Sequence, residues 1–119
     1  MSRRKKDLGD WGEDRACDFL VRHGFEIIEK NYFCRYGEID IVARKKGDFY
    51  FVEVKTRKQK AWANTTTFTS QQKKRLIRAV KHYCFNHQIA DVAMILAGLV
   101  VAIDQTAKKL KFHFSIMDW

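Results

Sequence analysis

Proline is absent from this chain of 119 residues, and no Ser/Gly-rich linker or low-complexity tract interrupts it. Nothing therefore marks a boundary, and the length suits a single domain, 1–119, around one core. No repeat of the solenoid kind occurs. Cysteine is scarce: Cys17, Cys34 and Cys84 are odd in number and lack C-x-x-C spacing. That argues against a disulfide scaffold or a structural zinc site, and for a reducing compartment. The four histidines lack ligand spacing as well; His82 and His87, five apart, do not share a helical face. Long apolar runs are also missing. Val92 to Ile103 gives 12 residues broken only by Gly98, whereas a membrane-spanning helix needs about 20. A buried helix end running into a core strand is the expected structure there. The basic start, Met1 to Asp7, has no apolar segment after it, so no signal peptide is expected. The expectation is a cytoplasmic protein with no membrane partner.

What the chain does carry is positive charge. Lys and Arg number 23 against 14 Asp and Glu, a formal +9. Such an excess suits a polyanionic partner, because Lys and Arg that neutralise phosphates release counterions. Nucleic acid is the expected partner. Apolar residues make up 46%, enough for a folded core. Residues 1–7 read as a flexible basic arm, binding phosphate or merely solvating. Asp7 or Asp10 can cap a first helix and Gly24 can end it. Ala16, Phe19, Leu20 and His23 form its apolar stripe, and Glu13 falls on the same inward face. An acid so near a helix start is equally a surface partner of the helix dipole. Phe25 to Ile28 reads as a short strand. Thr69 and Gln72 form a capping box for a second helix of about four turns, with Leu76, Val80 and Tyr83 inward. Leu99 to Ile103 reads as a buried strand. Leu110, Phe112, Phe114 and Ile116 alternate with polar residues, as a half-exposed strand requires. The order predicts an α/β sandwich around a mixed sheet.

The chemistry concentrates in Gly37 to Arg57. Two strand-like runs flank Lys46-Gly47, and each carries an acid among apolar neighbours: Asp40 and Glu53. Period-2 alternation puts Glu38, Asp40 and Val42 on one face and Ile39, Ile41 and Ala43 on the other. A turn centred on Lys46-Gly47 sets Asp40 opposite Glu53 and Glu38 opposite Lys55, with Cβ atoms about 4.5–5.5 Å apart. Facing carboxylates repel, so a raised pKa or a bound cation is expected. Hard divalent ions, Mg²⁺ or Mn²⁺, prefer such oxygen ligands. Lys55 shares the face of Glu53. Two carboxylates, a lysine and basic surroundings suit phosphodiester hydrolysis. The plain alternative is an edge strand whose lysine discourages aggregation.

These residues resemble a known pattern. Asp40…Glu53-Val54-Lys55 is similar to the PD-(D/E)xK motif of restriction-endonuclease-like nucleases. More narrowly, Trp11-Gly12-Glu13, Asn31-Tyr32, Gly37-Glu38-Ile39-Asp40, Phe51 to Arg57 and Lys74 to Ile77 resemble the bacterial YraN-type family, which is thought to be related to Holliday junction resolvases. The resemblance implies an α-β-β-β-α-β core with a mixed central sheet flanked by helices. It also implies Mg²⁺-dependent cleavage, Asp40 and Glu53 as metal ligands, Lys55 as catalytic lysine, Glu13 as an auxiliary acid, and a homodimer on branched DNA. Ile39 stands where the motif nominally has Pro, Gln72 where a Lys is expected, and the C-terminal third departs from the pattern.

Around this site, Arg57, Lys58, Lys60 and Trp62 lie in a stretch where basic residues interleave with aromatics. It reads either as a contact to phosphates and an unpaired base or as a mobile surface loop. Lys73 and Lys74, on the second helix, are further candidates for nucleic-acid contact. Three functions compete: a metal-dependent DNA endonuclease, a non-catalytic nucleic-acid-binding protein of the same fold, and an RNA- or ribosome-associated protein whose hairpin is structural only.

Overall fold

The computed structural model describes residues 3–58 and 68–119, with side chains from Asp7 onward. The elements run α1 (Arg3–Arg22), β1 (Glu26–Cys34), β2 (Gly37–Lys45), β3 (Asp48–Lys58), α2 (Ser70–Asn86), β4 (Met94–Asp104) and β5 (Lys109–Met117). The five strands form one sheet in sequence order. β1, β2 and β3 pair antiparallel, β3 and β4 pair parallel, and β4 and β5 pair antiparallel. Only the parallel pair needs a crossover, and α2 lies in it. This is an α/β chain with a mixed five-stranded sheet and an α-β-β-β-α-β core.

Each helix covers one face of the sheet. Ala16 and Leu20 of α1 pack with Ile41, Ala43, Val52, Ala97, Leu99 and Val101. Leu76, Ala79, Val80 and Tyr83 of α2 pack with Val42, Phe51 and Leu96. Neighbouring residues of β2, β3 and β4 thus enter opposite layers, as a pleated strand covered on both sides must. The capping box at Thr69 and Gln72 is present in both directions and starts α2 as expected. At the end of α1, Phe25 N–H donates to Leu20 O and Gly24 N–H to Val21 O, with Gly24 at φ 88. That is a Schellman end, and glycine meets its left-handed requirement.

Several expectations need correction. α1 begins at Arg3, so Asp7 and Asp10 lie inside it and neither caps it. Arg and Lys are strong helix formers, so the basic run extends the helix. β1 is nine residues long, not four; pairing with β2 carries it through the polar Glu29, Lys30 and Asn31. The apolar run after α2 is strand from Met94 onward, not the end of a helix. Gln88 and Asp91 turn the chain before it, at φ 52 and φ 61. In β5 the alternation holds through Phe114, but Ile116 is exposed and Met117 enters the α2 layer.

The hairpin is closed by Lys46 (φ 53) and Gly47 (φ 85), the type I′ geometry that matches strand twist. The register is the expected one, running from Lys45–Asp48 to Ile41–Val52. The paired ladder ends there, one step short of Asp40 and Glu53. Glu38 and Lys55, expected opposite each other, lie beyond its end, and each is paired only on its other side, Glu38 with Phe33 of β1 and Lys55 with Val100 of β4. The facial assignment of β2 also changes partway along. Ile39 packs with Val42 in the α2 layer, whereas Ile41 and Ala43 enter the α1 layer. Asn31, between the pairs Lys30–Ile41 and Tyr32–Ile39, has φ 55. A left-handed residue inside a strand breaks the period-2 pattern locally, and Asn tolerates that conformation. Asp40 sits at this break.

Candidate active site

Four elements bring polar groups to the break, three of them side chains and β3 a backbone N–H. Glu13 comes from the inward face of α1, close to β3 because residue 12 is glycine. A Cβ on Gly12 would lie 1.7 Å from Thr56 Oγ1 and 2.9 Å from Thr56 Cβ. Glu38 and Asp40 come from β2. One carboxylate oxygen from each of Glu13, Glu38 and Asp40 lies within 4.8 Å of the others. With its amide nitrogen turned toward the acids, Asn31 donates to Glu13 Oε2 and Glu38 Oε1, 2.9 Å in each case. The Val54 N–H donates to Asp40 Oδ2 at 2.8 Å, joining β2 and β3 just beyond the paired ladder.

Electrostatics follow from this crowding. Burial, with the charges of Glu13 and Glu38 added, pushes Asp40 up to about 8 against the pull of the Val54 N–H. Burial and then Glu38 raise Glu13, while the Asn31 hydrogen bond opposes them. Burial also raises Glu53, with Lys55 and Arg75 acting in the other direction. Lys55 is lowered by burial and by Arg57, and Glu53 opposes.

Two adjoining cavities share Glu53 and Gln72. One of about 220 Å³ is lined by Gly37, Glu38, Asp40, Glu53, Gln72 and Arg75, among others. The other, about 540 Å³, includes Glu13, Glu53, Lys55, Arg57 and Gln72 in its lining. The Lys55 ammonium stands 4.4 Å from the centre of the Phe68 ring. That ring occupies a notch at Gly98, where a Cβ would meet it at 2.2 Å.

Glu13, Asp40, Glu53 and Lys55 therefore line one connected region. Glu53, however, is not in the tight cluster; Glu38 takes that place. Arg57 lines the larger cavity and Lys58 is exposed at the end of β3. Lys73 and Lys74 are on α2 but line neither cavity, whereas Gln72 and Arg75 do. Lys60 and Trp62 lie outside the described residues. Glu38, Asn31 and Arg75, present in the family-like motifs but given no site role from the sequence, join the site in the structure. The period-2 spacing of Glu38 to Asp40 was the available signal for the first, and the one-turn spacing from Gln72 for the last.

The Asp40 environment has a measurable consequence. Its folded-state pKa is raised, so the stability that its neutral form contributes is present in full at acid pH. That stability is lost as pH climbs toward and through about 8. Asp40→Asn is neutral throughout. In thermal melts with EDTA it is expected to exceed the wild type, the gap widening on the order of 10 °C between about pH 5 and about pH 9. A gap independent of pH would contradict this account of the site.

The fold is that of an α/β chain whose α-β-β-β-α-β core is consistent with a nuclease-like one. The comparisons with known proteins are specific: residues 12–103 match the model of Uncharacterised protein family UPF0102. The chain belongs to that family, the YraN-type family. A UPF0102 protein of Roseiflexus castenholzii is 37% identical over 107 residues, covering 83% of this chain and 86% of that protein. One of Helicobacter hepaticus is 41% identical over 101 residues, covering 85% and 87%. One of Chloroflexus aurantiacus is 42% identical over 89 residues, covering 75% and 72%. Among the described residues no helix is long and apolar enough to cross a membrane.

Proposed function

We propose that this protein is a metal-dependent endonuclease hydrolysing DNA phosphodiester bonds, with branched or otherwise structured DNA as its substrate. The observation that carries the reading is the convergence of Glu13, Glu38 and Asp40 beside a cavity that also holds Glu53, and next to one holding Lys55. The donor set fits a hard cation. It is all oxygen, and burial together with its like charges raises the Asp40 pKa when no cation offsets them.

Asp40, with Glu38 and Glu13 beside it, would hold Mg²⁺ or Mn²⁺, and Glu53, outside that cluster but lining the same cavity as Asp40, would complete the ligand set. When bound, the ion supplies charge that polarises the phosphate and lowers the pKa of a water. The remaining roles belong to the protein. Asn31 fixes the orientation of Glu13 and Glu38 through its two hydrogen bonds. Lys55 carries the positive charge that offsets the transition state, steadied by the Phe68 ring. Arg75 and Arg57, at the walls of the two cavities, hold phosphate oxygens. Lys58, Lys73 and Lys74 add phosphate contacts outside the cavities, and Lys60 and Trp62 are kept from the sequence as further candidate contacts. A cytoplasmic location and a homodimer are parts of the same reading.

The test is incubation of purified protein with linear, flapped and four-way-junction DNA in Mg²⁺, Mn²⁺ or EDTA. Cuts in either metal and none in EDTA are expected, with the branched substrates cut first. Binding without cuts under every condition would replace this reading with a non-catalytic nucleic-acid-binding protein.

A further inference from the structure

The outward side of α2 leads away from the acid cavity. Gln72 and Arg75 line that cavity; Arg78, Lys81, His82 and Phe85, farther along the helix, line another of about 540 Å³. Arg35 and Tyr36, in the turn between β1 and β2, complete its lining. The two cavities are linked by this turn: Tyr36 lines one, Gly37 the other. A Cβ on Gly37 would lie 3.9 Å from Arg75 Cβ. From Gln72 to Phe85 the helix rises about 20 Å, the length of about six stacked nucleotides of one strand.

The lining is cationic and aromatic, with no acid among its residues. Phe85 is 85% exposed, and among the described residues no ring stacks on it. Tyr36 presents its ring beside His82, centroids 6.0 Å apart at 65°, with the Arg35 guanidinium 4.8 Å from its own centroid. His82 is held in place by a 2.6 Å hydrogen bond between its Nδ1 and Tyr32 Oη. Among the described residues Arg78 and Lys81 are in no ion pair. Exposed rings beside unpaired cations suit an occupant with flat apolar faces and regularly spaced negative charge. A duplex keeps its base faces stacked inside, whereas an unpaired strand can offer them.

We infer that this second cavity is a stacking subsite for an unpaired DNA strand running along α2 from the acid cluster. Tyr36 and Phe85 take its bases, and Arg78 and Lys81 its phosphates. The direction of the strand rests on the nuclease reading; the contact itself does not.

Binding is measured on the full chain in EDTA, by anisotropy of a fluorescent single-stranded oligonucleotide and of a blunt duplex of equal length. Tyr36→Ala and Phe85→Ala are each expected to weaken single-strand binding about 5- to 100-fold. Duplex binding should change less than about twofold, and Phe85→Trp should keep wild-type affinity for the single strand. Arg78→Gln should lower the salt slope on the single strand by about 0.7. Single-strand affinity that survives both alanine variants overturns the inference. So does an equal loss against a polyglutamate peptide, which would mark a surface for an acidic protein. Metal-dependent cuts by a wild type whose strand affinity ignores Phe85 would sink only this subsite. Phe85-dependent strand binding with no cuts under any metal would sink only the nuclease.

Discussion

Asp40→Ala is expected to abolish metal-dependent cleavage, a loss on the order of a thousandfold or more. Asp40 is the acid that ties the cluster together. It shares its surroundings with Glu13 and Glu38, accepts from the Val54 N–H and borders the cavity containing Glu53 and Arg75. Removing its carboxylate takes away the central oxygen donors. DNA binding in EDTA should be unchanged near neutral pH, where the raised pKa already keeps Asp40 largely neutral, and tighter than wild type only above about pH 8, where a negative charge facing phosphate has gone. Retained binding separates lost chemistry from lost folding, which would weaken both. Asp40→Asn supplies the second control: it preserves shape and an acceptor for Val54, yet should be as inactive as the alanine variant. Metal-dependent cleavage persisting in either variant would remove Asp40 from the reaction.

How far the sequence foretold this arrangement depends on whether local pattern or tertiary pairing decided each element. The α2 cap was legible because a capping box is a local exchange of hydrogen bonds between Thr69 and Gln72. The hairpin register was legible because Lys46-Gly47 can take the left-handed angles a two-residue loop needs. From that register came the pairing of Ile41 with Val52, and with it the approach of the Asp40 and Glu53 segments. The convergence of Glu38 with Glu13 was not legible. It depends on a break in alternation at Asn31 and Asp40, and period-2 reasoning assumes no such break. The length of β1 escaped for a related reason: Lys30 and Asn31 look like loop residues until β2 pairs alongside them. β4 was half-read because an apolar run without alternation fits a buried helix as well as a strand covered on both faces.

Lys55→Ala should lower the cleavage rate about a hundred- to a thousandfold while leaving metal-dependent stabilisation and DNA affinity close to wild type. The reasoning starts from position. Lys55 follows Glu53 by two residues on β3, so one strand fixes the relation between cation and carboxylate. Its ammonium is held over Phe68, whose ring depends on the notch at Gly98. One lysine among 23 Lys and Arg contributes little to overall attraction for DNA, so a binding loss is not the expected effect. Its contribution comes when charge builds on the phosphate, which lowers kcat and spares affinity. Lys55→Arg should recover little of the rate. A planar guanidinium cannot occupy the same point over Phe68 as a compact ammonium, although charge and approximate length are retained. Full rescue by arginine would mean that the position contributes only long-range charge. An unchanged rate in Lys55→Ala would leave the lysine a packing partner of Phe68 and shift the transition-state charge to Arg75 or Arg57, the other cations lining the two cavities.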